Sequence, residues 1–195
     1  MIRILDFVLS LIGLMVLSPV LIVIACVIKL DSKGPIFFMQ QRVGQWSKDF
    51  YLYKYRTMKP DSEKLGQLTV GGRDSRITSV GYVLRKYKLD ELPQLINVLY
   101  GQMSLVGPRP EVRKYVALYN KQQREVLSVK PGVTDFASIE YADENEILGN
   151  AEDPEKVYIE QIMVDKLKLN QKFIENPGIV NYFTVLLQTV LKIVS

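Results

Sequence analysis

The chain has 195 residues, a formal net charge of +4, one cysteine and no histidine. Without imidazole, the common hydrolytic triads and histidine-ligated zinc are excluded, so any chemistry rests on carboxylates, amines, guanidiniums, hydroxyls or an oxygen-bound cation. The lone Cys26 precludes an intrachain disulfide, which fits a reducing compartment, and the basic balance favours partners that carry phosphate: nucleic acid, anionic lipid or nucleotide.

Residues 1–30 form the first unit. No charged residue occurs from Phe7 to Ile28, and as a helix those residues extend roughly 33 Å, about the hydrocarbon thickness of a bilayer. Arg3 is offset by Asp6 and no small-residue cleavage site follows, so a signal peptide is a poor fit. Ser18-Pro19 stands near the middle of the run. Pro19 cannot donate to the Met15 carbonyl, and Ser18 can bond back toward Leu14, which together predict a kink. Two topologies stay open on residues alone: a kinked span, and a re-entrant helix that returns to the face it entered.

Asp31-Ser32-Lys33-Gly34-Pro35 reads as the turn that leaves the apolar segment, and residues 31–195 as one further domain. Aromatic and β-branched residues predict strands over Pro35–Val43 and Asp49–Met58, joined as a hairpin through Gly44–Lys48. Residues 59–79 read as a polar surface loop carrying Gly71-Gly72, Arg73, Asp74 and Arg76. Helices are expected over Val80–Lys88, Pro93–Tyr100, Glu111–Val129 and Pro154–Phe173. In the tail, Asn181, Thr184, Gln188, Lys192 and Ser195 recur at helical spacing and leave a broad apolar face over residues 179–194. That face suits the core, a membrane interface or a homodimer contact. The whole reads as an α+β fold, mostly α.

Chemistry concentrates in Lys88-Leu89-Asp90-Glu91-Leu92-Pro93-Gln94-Leu95. Pro93 places a helix start there and leaves Asp90 and Glu91 at its first turn, where either capping or anion chemistry is served. Arg85 precedes the pair, and Gly107-Pro108-Arg109-Pro110 follows it. Pro108 and Pro110 fix the backbone about Arg109, as bidentate phosphate recognition requires. Arg56, Arg73 and Arg76 are further cationic candidates. A carboxylate pair beside phosphate needs intervening cations, and an all-oxygen ligand set at Asp90 and Glu91 favours Mg²⁺. Such a carboxylate can also serve as the nucleophile on phosphorus.

These stretches carry a specific resemblance. Asp31–Phe38, Gln41–Gly44, Tyr53–Met58, Arg76–Thr78, Leu84–Lys86, Leu89–Leu95, Asn97–Leu99, Met103–Pro110 and Lys130–Thr134 run in one order. In that order they resemble the small bacterial sugar transferases, the monotopic phosphoglycosyl transferases. The resemblance implies transfer of sugar-1-phosphate from a UDP-sugar to undecaprenyl (polyprenyl) phosphate, with UMP released and Mg²⁺ as cofactor. It implies Asp90 as nucleophile through a phosphosugar-aspartyl intermediate, and Glu91 as a Mg²⁺ partner or proton handler. Arg85 and Arg109, with Pro108, Pro110 and Arg56, would hold phosphate or nucleotide. It also favours the re-entrant form at Ser18-Pro19, and hence the cytoplasmic face of the bacterial inner membrane. The chain departs from the family pattern at Tyr87-Lys88, at the single Arg3 and at Asp135-Phe136. Two rival readings are a membrane-anchored, non-enzymatic nucleotide- or partner-binding module, and a basic nucleic-acid binder. The second lacks a nucleic-acid motif or a concentrated basic stripe. Residues 136–178 serve either as a substrate lid or as the completion of the fold.

Overall fold

The computed structural model describes residues 2–60, 62 and 74–194. Helix α1 (Ile2–Asp31) is followed by the antiparallel hairpin β1 (Phe37–Val43) and β2 (Asp49–Tyr55), then α2 (Ser79–Lys86). A 3₁₀ turn (Leu89–Glu91) leads into α3 (Gln94–Leu99), β3 (Ser104–Val106) and α4 (Arg113–Val116). After β4 (Gly132–Thr134) come α5 (Phe136–Glu140), α6 (Glu144–Gly149), α7 (Pro154–Val157), α8 (Met163–Glu175) and α9 (Ile179–Val194). A π turn (Tyr158–Ile162) joins α7 to α8. The fold is therefore α+β and mostly α, as its sequence pattern predicts.

The hairpin runs in the expected register, Phe37 opposite Tyr55 and Val43 opposite Asp49. Its loop turns through Trp46 and Ser47, both left-handed. The polar segment after β2 is closed at its base, where Lys59 N–H donates to Arg76 and Thr78 N–H donates to Thr57. Arg73 and Gly71-Gly72 lie outside the described residues, and Arg76 is held by Asp74.

One expected helix does not form. Residues 111–129 do not form one helix: α4 stops at Val116, and only a 3₁₀ segment (Gln123–Ser128) resumes. Asn120 and Gln123 exchange side-chain bonds with each other's backbone N–H groups, at 2.9 Å each, which satisfies donors a continuous helix would use. Residues 136–149 hold two short helices that no strong periodicity announces. They are not free of the core: Leu148 packs with Val43, Tyr115, Tyr158 and Leu167, so residues 136–178 complete the fold.

Helix α1 runs unbroken through Ser18-Pro19, and the Met15 carbonyl that Pro19 cannot engage accepts the Ser18 hydroxyl at 2.8 Å. The acceptor is one residue later than the expected Leu14. Both ends of α1 are fastened to the same body. At the N-terminal end, Arg3 donates to the Val98 and Leu99 carbonyls of α3 at 2.5 and 2.9 Å, a cation at a helix C-terminus. One turn on, buried Asp6 accepts from Ser104 Oγ, Leu105 N–H and Tyr182 O–H. At the C-terminal end, Tyr55 O–H donates to the Leu21 carbonyl at 2.8 Å, and Ile24, Ile28, Tyr55 and Leu84 pack together. Between these anchors Met15, Val16, Ile22 and Val23 are exposed. Helix α9 buries Tyr182 and Val185 against the core while Val180, Leu187, Val190 and Leu191 face outward.

Candidate active site

Asp90 and Glu91 sit where α2 ends. Lys88 is left-handed, with φ 55°, and turns the chain from α2 into the 3₁₀ turn that carries the pair. A non-glycine residue in that conformation costs about 1–2 kcal/mol, so the surrounding fold must impose it. The pair then faces β2, whose inward positions Phe50 and Leu52 are buried. Lys54 is the next residue in that inward register, and its Nζ donates to Glu91 Oε1 at 2.8 Å.

Arg109 reaches the same carboxylate from the other side. Its NH1 donates to Glu91 Oε2 at 3.1 Å and its NH2 to Oε1, a bidentate pair. The loop beneath it is held by three backbone donors. Gly107 N–H donates to Thr134, Gly132 N–H to Pro108 and Arg109 N–H to Asp135 Oδ2. Arg42 donates to the Pro110 carbonyl at 3.1 Å and to Glu111 at 3.0 Å. Tyr158, presented by the π turn, donates its hydroxyl to the other Glu111 oxygen.

Asp90 differs from its neighbour. It is 7 % exposed, and among the described residues its carboxylate makes no hydrogen bond or ion pair. Burial pushes its pKa up, against the opposing pull of Lys54 and with a further push from Glu91. Glu91 is partly buried, and Arg109 and Lys54 outweigh the cost of that burial and hold it well below the usual carboxylate range. The Lys54 ammonium is itself lowered by burial, with Glu91 pulling the other way. Arg85 approaches from α2, donates Nε to Thr57 Oγ1 at 3.0 Å and adds positive potential at Asp90.

The fold thus brings together Asp90, Glu91, Arg85, Arg109, Pro108 and Pro110. It does not bring Arg56 to them. Arg56 is buried, and its guanidinium donates to the carbonyls of Lys33 and Ser32 at 2.6 and 2.7 Å. Its cation closes the C-terminal end of α1, so the expectation of a substrate-binding Arg56 gives way to a structural pin. Lys54 was the residue missed. Its signal was present in the alternation Phe50, Leu52, Lys54, which puts a lysine where the strand points inward.

The donor set can be tested against Mg²⁺. That ion takes one or two carboxylates and fills its other positions with phosphate oxygens and water. The unbonded Asp90 carboxylate fits this demand, whereas both Glu91 oxygens already carry cationic donors.

A carboxylate free of hydrogen bonds stands beside an ion-paired one, with two arginines and a lysine about the pair and a long apolar helix in the same body. The chain belongs to the bacterial sugar transferase family, whose profile matches residues 1–195. It is 41% identical over 139 residues to the UDP-N-acetylgalactosamine-undecaprenyl-phosphate N-acetylgalactosaminephosphotransferase of Aeromonas hydrophila, covering 69% of this chain and 32% of that protein. It is 42% identical over 141 residues to the UDP-glucose:undecaprenyl-phosphate glucose-1-phosphate transferase of Escherichia coli, covering 69% and 30%. It is 40% identical over 144 residues to the exopolysaccharide production protein PSS of Rhizobium leguminosarum, covering 70% and 72%. The first two relatives are thus about three times the length of the matched region.

Proposed function

We propose that this protein transfers sugar-1-phosphate from a UDP-sugar to undecaprenyl phosphate, as the first step of assembling a bacterial glycan. The observation that carries the reading is the contrast within the acidic pair. Glu91 is neutralised by Lys54 and Arg109, while Asp90 is left unbonded with Lys54 and Arg85 near it. An unbonded carboxylate is available as a nucleophile, and the cations accept the charge of an approaching diphosphate.

In the first step an Asp90 oxygen attacks the sugar-bearing phosphorus. The bond from that phosphorus to the bridging oxygen breaks, and UMP leaves with the bridging oxygen and its electron pair. In the second step a phosphate oxygen of the lipid attacks the same phosphorus, and Asp90 departs as carboxylate. Neither step needs a proton from the protein, which agrees with a Glu91 held ionised. Arg109 and Arg85 hold phosphate charge, and Lys54 keeps Glu91 ordered beside the nucleophile. Asp90 would hold Mg²⁺, which when bound would supply neutralisation of part of the donor's charge.

The lipid acceptor requires a membrane site. Helix α1 is long and apolar enough to cross a bilayer. A straight crossing separates the two ends of such a helix by roughly 45 Å. Arg3 and Asp6 at one end, and Leu21 to Ile28 toward the other, are all fastened to one body. This favours α1 entering and staying at the cytoplasmic face of the inner membrane, with Asp90 at the interface where a soluble donor and a lipid acceptor meet.

The test is UMP release from a panel of UDP-sugars with Mg²⁺ and undecaprenyl phosphate. One or a few sugars should support lipid-dependent release, and Asp90→Asn should lower it by roughly 10³-fold or more. Release that persists in folded Asp90→Asn would remove Asp90 from the mechanism. UDP-sugar binding without turnover, equal in both proteins, would favour a binding module.

A further inference from the structure

Gln94 has no role in the chemistry above, yet it is among the most enclosed polar side chains, with 1 % of its surface exposed. Among the described residues its Nε2 has no hydrogen-bond partner. A buried amide donor left unbonded is destabilising, so its retention calls for a physical reason.

Its place in the fold supplies one. The chain enters α3 through bonds to the third residue back: Glu91 to Lys88, Leu92 to Leu89, Leu95 to Leu92 and Ile96 to Pro93. In 3₁₀ winding, residues three apart eclipse one another. Glu91 and Gln94, three apart across this turn, therefore stand in a row, and Asn97, three further on in the α-helical α3, continues it along the same face. Both ends of that row touch β2, because Glu91 accepts from Lys54 and Asn97 bonds the backbone of Tyr51 and Tyr53. Gln94 lies between them, one turn from the Glu91 carboxylate.

Glu91 Oε1 is bonded twice, by Lys54 and Arg109, whereas Oε2 is bonded by Arg109 NH1 at 3.1 Å. An incoming diphosphate competes for that same guanidinium. As Arg109 turns to phosphate, Oε2 loses its donor inside a partly buried site. We infer that Gln94 is a positioning residue held in reserve: its amide takes over Glu91 Oε2 when the donor phosphate draws Arg109 away. The inference rests on the phosphoryl-transfer reading. It gives the resting enzyme an unspent donor, which is spent only once substrate is loaded.

The consequence is an opposition between stability and turnover. Gln94→Met keeps length and removes the donor, and Gln94→Glu keeps shape and replaces the donor with an acceptor. Unfolding midpoints are measured for the full chain in nanodiscs containing undecaprenyl phosphate, with and without the UDP-sugar that the wild type uses, and UMP release is followed alongside. Gln94→Met should melt at or above the wild type when free and gain less from UDP-sugar. Its kcat should fall roughly ten- to hundredfold, the worth of one hydrogen bond to a charged group, with a much smaller change in KM. Gln94→Glu should lose turnover at least as severely. A free Gln94→Met protein that melts below the wild type would show the amide already bonded at rest, and the inference would fall. Full turnover in Gln94→Met would also overturn it. A wild type that releases no UMP from any donor sinks the reaction reading and this inference together, whereas an active wild type beside an active Gln94→Met sinks the inference alone.

Discussion

At the scale of single residues, the site divides two adjacent carboxylates by their partners. Glu91, held ionised by Arg109 and Lys54, contributes stability that is fully present above the ordinary glutamate pKa of about 4.3. That contribution is lost as pH falls through the depressed value in the folded protein. Asp90 is displaced the other way, by burial first and Glu91 next. As the proposed nucleophile it must be ionised, so the acid limb of kcat/KM should lie above the ordinary aspartate value of about 3.9. Lys54 opposes that displacement. Lys54→Met removes the opposing cation, so the limb should move to still higher pH, while kcat falls roughly tenfold or more. A pH–rate series on the two proteins tests this. A limb that stays in place or moves down would mean that Lys54 does not act on Asp90.

At the scale of elements, the Arg109 loop depends on two backbones in near contact. A Cβ added at Gly132 would stand 2.1 Å from the Gly107 nitrogen, and one added at Gly107 would stand 2.6 Å from the Lys130 carbonyl. Gly132→Ala therefore forces β3 and β4 apart, at a cost of about 3 kcal/mol or more, since backbone cannot yield as a flexible side chain does. Gly178→Ala, with open space around it, should stay within about 0.5 kcal/mol of the wild type. Denaturant unfolding of the two variants in one detergent decides the matter, and equal midpoints would refute the close approach. This packing was illegible in sequence, because β3 and β4 are three residues each and pair in parallel across a long separation. The hairpin β1–β2 was legible because its seven-residue strands alternate and share a short loop. Asp90, Glu91, Arg85 and Arg109 were legible as charges set beside prolines. The role of Arg56 was not, since its partners are carbonyls of α1 and the turn after it, which no side-chain pattern announces. The break at Asn120 was hidden for the same reason, lying in local side-chain to backbone bonds rather than in hydrophobic period.

At the scale of the whole molecule, α1 would join the proposed chemistry to a lipid acceptor, and its topology follows from which contacts must survive in the membrane. A spanning α1 places Arg3 across the bilayer from the catalytic body, breaking its two bonds to α3 and the three bonds that buried Asp6 accepts from β3 and α9. An unpaired buried carboxylate is among the costlier single defects a fold can carry. A returning or in-plane α1 keeps all five bonds, and Ser18 supplies the donor that the Met15 carbonyl needs in an apolar surround. The outward apolar residues of α1 and α9 then meet lipid together, because Tyr182 of α9 is bonded to Asp6 of α1. With the exposed Cys26 replaced by serine, a cysteine at Ile2 should react with a membrane-impermeant maleimide only after the inner membrane is opened. A cysteine at Lys48, on the hairpin loop, should behave the same way. Labelling of the Ile2 cysteine in intact spheroplasts, with the Lys48 cysteine still protected, would establish a span. The contacts of Arg3 and Asp6 would then have to be made by some other element, and Asp90 could still act at the cytoplasmic end.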